Sequence, residues 1–86
     1  MQFEFSTSTS DTFLGVFTMY GYSENVDLYV NDTLVATYNV TFYDREYSFL
    51  VDLPEGTHRV TAIYTSTASD RPYAYLTYEQ FLLYRI

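Results

Sequence analysis

From residue 46 to residue 53 the chain alternates without a slip. Tyr47, Phe49, Val51 and Leu53 take one side, and Glu46, Ser48, Leu50 and Asp52 take the other. A period of two puts successive side chains on opposite faces of a strand, so this segment needs a cover for one face. It stops at Leu53-Pro54-Glu55-Gly56, where proline presets φ at the second position of a type I turn and glycine suits the fourth. The same grammar runs through the chain. Phe3 and Phe5 alternate in Gln2 to Ser8. Val26, Leu28 and Val30 point one way, with Asp27 and Tyr29 the other. Asn31-Asp32 is a two-residue turn, because Asn and Asp tolerate positive φ. Ala36, Tyr38, Val40 and Phe42 continue on the return strand. Val60, Ala62 and Tyr64 face inward on a strand from Thr57 to Ser66.

No segment shows capped helical periodicity, and Val, Tyr, Phe and Thr suit a pleated, half-buried surface. The reading is a single all-β domain over 1–86: an antiparallel β-sandwich of about seven or eight strands, jelly-roll-like, with an immunoglobulin-like sandwich as the alternative. Two runs are harder to place. Thr12 to Tyr20 carries Phe13, Gly15, Phe17 and Met19 on one face and Leu14, Val16, Thr18 and Tyr20 on the other, so both faces call for cover. Gly15 marks a bulge or a close approach. Residues 21–25 read as a loop. The last run, 73–86, begins after Pro72 and is apolar on both faces. A bulge near Glu79-Gln80 lets Leu76 and Phe81 share the core side.

Eleven Tyr and seven Phe among 86 residues exceed what one small core consumes. Tyrosine packs an apolar body and keeps a polar tip at a wet boundary, so the surplus points to a second surface. Tyr38, Tyr47 and Tyr64 have inward slots. Tyr29, Tyr43, Tyr73 and Tyr75 do not, and Tyr78 is open to either side. These five, with Asp70 and Arg71 as polar neighbours, are the candidate binding residues, whether for a protein surface or for stacking on sugar rings.

The formal charge of −7, with arginine as the only cation and no lysine, excludes a phosphate-tracking stripe and so nucleic acid. It also disfavours an anionic membrane, and no apolar run approaches the ~20 residues of a spanning helix. Edges of β-sheets are commonly blunted with lysine. Its absence beside the long last strand leaves that edge open to another chain. With no Cys, disulfides and thiolate metal sites drop out. Small domains then lean on oligomerisation or docking, so a homo-oligomer or a larger assembly is expected. The start, Met-Gln-Phe-Glu-Phe, has neither a basic n-region nor an apolar h-region. The expected location is a virion or the cytoplasm, with the extracellular space reached only by another route.

Catalytic chemistry has little to stand on. His58 follows a turn, as a polar strand-start residue does, and no nucleophile elbow, phosphate loop or zincin motif appears. Glu46 and Glu55 are ordinary solvated carboxylates rather than a hydrolytic pair. No catalytic residue and no cofactor are assigned. Calcium takes about six to eight oxygen ligands, and Asp11, Asp27, Asp32, Asp44, Asp52 and Asp70 each stand alone between strands. A structural Ca²⁺ could only be assembled from distant loops.

The order of features resembles galactose-binding-like jelly rolls. The hairpin 26–35 is similar to their strand–turn–strand unit. The stretch 47–60 looks like their crossover into an inner strand, and 75–83 resembles their closing strand. The turn here has Asp32 where glycine is common, and Thr77-Tyr78 stands where a Leu-Asp pair is usual, so no ligand or calcium position is carried across. The resemblance implies a carbohydrate-binding or adhesion module. Short β-sandwiches of this kind also serve as accessory proteins on phage and virus particles. The reading favoured is a non-enzymatic structural or assembly protein that decorates such a particle and binds protein surfaces through exposed tyrosines and the edge strand.

Overall fold

The computed structural model describes residues 1–41, 43–67 and 76–86, the side chain of Glu79 excepted. Seven strands follow in chain order: β1 (Gln2–Thr7), β2 (Asp11–Gly21), β3 (Ser23–Val30), β4 (Thr33–Thr41), β5 (Arg45–Leu53), β6 (Gly56–Ser66) and β7 (Leu76–Arg85). They form two antiparallel sheets, β1-β6-β3-β4 and β5-β2-β7. The expected β-sandwich is the fold.

Among these strands only β3 and β4 are neighbours both in sequence and in a sheet. Every other link between them moves the chain to the other sheet, which is jelly-roll-like winding. An immunoglobulin arrangement would pair the first two strands, whereas β1 pairs β6 and β2 lies in the other sheet. The Pro54-Glu55 turn is therefore a crossover and not a hairpin: β5 pairs β2, and β6 pairs β1 and β3. The expected loop at 21–25 shrinks to Tyr22, since β3 already begins at Ser23.

The core follows the alternation. Phe13, Phe17 and Met19 of β2 and Phe49 and Leu53 of β5 face Val26, Leu28, Val30, Val40, Val60 and Ala62 of the larger sheet. Rings lock the two sheets at one edge. Phe3 of β1 meets Phe81 of β7 at 5.4 Å between centroids and stacks on Tyr78 at 5.5 Å, and Phe17 and Phe81 approach to 4.6 Å. At the opposite edge Tyr38 of β4 packs on Tyr47 of β5 at 5.2 Å and donates its hydroxyl to the Ser48 carbonyl at 2.8 Å.

The predicted irregularities also have locations. The bulge in the last strand falls where the register slips between Thr18 and Met19, so that Gln80 pairs Thr18 while Tyr78 pairs Met19. Gly15 is not the bulge. It is a close approach: a Cβ there would overlap the Phe49 ring. Phe42 and the start of the last run at 72–75 lie outside the described residues.

Candidate functional site

Each sheet turns one face to the core, and the two outward faces differ in chemistry. On the larger sheet, Gln2, Glu4 and Ser6 stand in register with Thr61, Arg59 and Thr57. Asn25 and Asp27 pair Asn39 and Thr37. Tyr29 pairs Leu34 and Thr61, and Ile63 pairs Asp27, so the exposed Leu34 and Ile63 interrupt an otherwise polar face without forming a band across it. This is the usual antiparallel arrangement, one face buried and one solvated.

The smaller sheet breaks that rule. Leu14 on the central strand is paired with Leu50 on one side and Tyr84 on the other, and Val16 with Ser48 and Leu82. The Ile86 amide donates to the Thr12 carbonyl at 3.0 Å and carries the same face one step further. Leu50, Tyr84 and Ile86 are 61%, 50% and 71% exposed. Leu14, Val16 and Leu82 are half-buried. Among the described side chains the charges in register with this face are Glu46 and Asp52, both on β5 and towards opposite ends of it. Contiguous exposed apolar surface is uncommon on monomers and marks interaction sites.

The alternation that places Leu14 and Val16 outward also places Phe13 and Phe17 inward. The sequence shows both apolar faces of this strand, but not that the second lies open. Leu50 was hidden by its own regularity: it occupies the polar phase of a well-patterned strand.

Of the tyrosines predicted to bind, Tyr29 lies outward on β3, half-buried between Leu34 and Thr61. Tyr43, in the link before β5, is 70% exposed. Tyr78 packs at the core edge, where it stacks on Phe3 and meets Phe17 edge-on at 6.0 Å, and still leaves 40% of its surface exposed. The bulge at 79 explains this, because it returns Tyr78 and Phe81 to the same side. Tyr73, Tyr75, Asp70 and Arg71 lie outside the described residues. The structure thus does not bring Tyr29, Tyr43 and Tyr78 together: they stand on an outer face, a link and an inner edge.

His58, the polar residue near the start of β6, is buried. Its Nε2–H donates to the Pro54 carbonyl at 2.9 Å, with Thr7 Oγ1 beside it at 3.1 Å. Nδ1 accepts from the Asn31 amide at 2.8 Å. The Asn31 Oδ1 in turn accepts from the Arg59 backbone N–H at 2.9 Å. One imidazole therefore ties the β3–β4 turn, the end of β1 and the β5–β6 crossover together, which satisfies every polar group it buries. Glu24 is a second buried polar residue, on β3 opposite Val40 and Ser66, and reading 21–25 as a loop concealed it.

A shallow depression of about 500 Å³ lies between the β1–β2 link and the end of β5, lined by Ser10, Asp11, Thr12, Asp52, Leu53 and Pro54. Its two carboxylates are engaged: Thr12 Oγ1 donates to Asp52 at 2.5 Å, and Arg85 stands 4.0 Å from Asp11. Among the described residues no three His, Cys, Asp or Glu side chains gather as metal ligands would. No helix in the described residues is long and apolar enough to cross a membrane. No protein-family model matches the chain, and no curated protein matches it in sequence.

Proposed function

We propose that this protein is a non-enzymatic assembly module that binds protein surfaces through the outward face of β5-β2-β7. The observation that supports this best is the Leu50–Leu14–Tyr84 rung, an apolar band running across all three strands with no charge in it. Leucine and tyrosine on an open sheet face suit the apolar centre of an interface, while the acids at the ends of β5 suit its rim. Tyr84 is the ring at the centre of this contact, and Tyr29 and Tyr43 lie apart from it. The setting the sequence suggests is decoration of a phage or virus particle. The open face, the negative charge and the small size of the module are compatible with docking on a larger body.

The test is a photo-crosslinking amino acid placed at position 50, and at position 39 on the polar sheet as a comparison, in the protein produced in its native source. Protein adducts formed from position 50 and not from position 39 are the expected result. Adducts equal from both positions, or none from position 50, would overturn the reading. A glycan array probed with the same purified chain covers the carbohydrate-binding alternative, for which saturable glycan binding, unaffected by Leu50→Glu, is the signature.

A further inference from the structure

We infer that the outward face of β5-β2-β7 takes a second copy of this chain, as a weak two-fold dimer with the two faces stacked. The inference rests on that face being a protein interface, as proposed above, and commits it to one occupant.

The first ground is how the face matches itself. A two-fold axis parallel to β2 and midway between the sheets lays β5 of one copy over β7 of the other. Rung levels are preserved by this rotation. Leu50 then opposes the second copy's Tyr84, while Leu14 and Val16 on the central strand meet their own counterparts. Glu46 opposes Gln80, which is uncharged, and Asp52 opposes Ile86 at the end of the face. Aligned sheets stacking at ~10 Å across apolar faces is how the core of a sandwich is made.

The second ground is charge. The other face-to-face two-fold, perpendicular to the strands, lays β5 on β5. With its axis level with Phe49 it brings Glu46 of each copy over Asp52 of the other. Among the described side chains both in-register acids of the face lie on β5, so like-charge repulsion disfavours laying β5 on β5.

The third ground is size. Three strands ~4.8 Å apart and about ten residues long offer about 450 Å² per copy, or about 900 Å² in all. Standard stable interfaces bury at least about 1,200 Å², so this dimer is reversible. Each copy also carries −7. Bringing two such bodies together is opposed over distances that salt shortens, the screening length falling to about 3 Å at 1 M. The dimer should therefore tighten as salt rises, the reverse of an association held by ion pairs.

Sedimentation of the full chain from about 10 μM to about 1 mM, in about 0.05 M and about 0.5 M NaCl, tests this. The mean mass should climb from 10.1 kDa towards twice that value, at lower concentration in the higher salt. Leu50→Glu should move the curve at least about tenfold to higher concentration. Leu50→Thr, which keeps strand propensity, should shift it in the same direction. Ile63→Glu, on the other sheet at a position of similar exposure, should leave it in place, with far-ultraviolet circular dichroism unchanged in all three variants. A mass fixed at 10.1 kDa in both salts overturns the inference, as does an Ile63→Glu effect equal to that of Leu50→Glu. A monomer that still gives protein adducts from position 50 would sink the dimer alone. A monomer without such adducts would sink the functional reading as well.

Discussion

Gly15 shows how one missing side chain shapes the interior. It sits opposite Phe49 across the β2–β5 ladder, and the Phe49 ring lies where a Cβ would project. The backbone at Gly15 is ordinary strand, so what the site requires is space and not φ. Gly15→Ala should cost about 1–3 kcal/mol through overpacking. In urea melts the loss should shrink when Phe49→Leu is added, because the smaller side chain vacates the spot. Purely additive losses would show that the two residues are not coupled. Tyr38 offers a second residue-scale test. Burial pushes its phenol from an ordinary 10.0 up to about 12. The folded chain therefore holds a proton that the unfolded chain releases above pH 10. Stability from this group is complete below pH 10 and is lost as pH rises towards 12. Tyr38→Phe removes the hydroxyl that donates to Ser48 and should be less stable than the parent at neutral pH. The gap between the two should narrow across that alkaline window, as followed by thermal melts at fixed pH steps. A constant gap would refute the linkage.

At the scale of the element, the β3–β4 hairpin is the part a reader of the sequence sees best. Asn31 and Asp32 adopt φ of 51° and 68°, the left-handed pair that a type I′ turn requires. Asp32 also receives both of its contacts from Arg59 Nη2, at 2.8 and 2.9 Å, in an exposed pair. Such pairs contribute about 0–1 kcal/mol, while a residue unsuited to the left-handed region costs about 1–2 kcal/mol. Asp32→Gly should thus stay within about 1 kcal/mol of the parent, the relaxed backbone offsetting the lost pair. Asp32→Ala loses both and should fall by about 1–2 kcal/mol. Both variants lack the ion pair, so equal urea midpoints would show that the left-handed backbone at position 32 carries no cost for alanine. The bulge in β7 was legible for a comparable reason: Leu76 and Phe81, five residues apart, share a face only if one residue is inserted. Beyond the β3–β4 hairpin, strand partners were not legible in the local pattern. Short links suggest hairpins, yet a turn such as Pro54-Glu55-Gly56 serves a crossover equally well; only the resemblance of 47–60 implied one there, and Phe3 and Phe5 pack against Phe81 across the sandwich that results. Long-range ring packing of this kind leaves no local mark in the chain. The burial of His58 was not legible for the same reason, since its partners Thr7 and Asn31 are 51 and 27 residues away.

For the whole molecule, the balance lies between an apolar sheet face and a large negative charge. At pH 7 the −7 charge keeps copies apart, and net charge far from zero favours solubility. The sequence isoelectric point is near 4.2. As pH falls from 7 towards that value, carboxylates take up protons and the repulsion disappears, while Leu14, Leu50 and Tyr84 are untouched by titration in this range. Association should therefore rise steeply between about pH 5 and the isoelectric point, ending in turbidity. A globule with a uniformly polar surface would also lose solubility there, so the face must be isolated from the charge. Leu50→Glu and Ile63→Glu add the same carboxylate to opposite sheets and shift the isoelectric point equally. Charge alone predicts identical turbidity profiles for the two. The apolar face predicts that Leu50→Glu stays clear to a lower pH than Ile63→Glu, because only it interrupts the rung that two molecules would share. Light scattering of both variants along one acid titration separates the cases, and superimposable curves would mean that the face has no part in association.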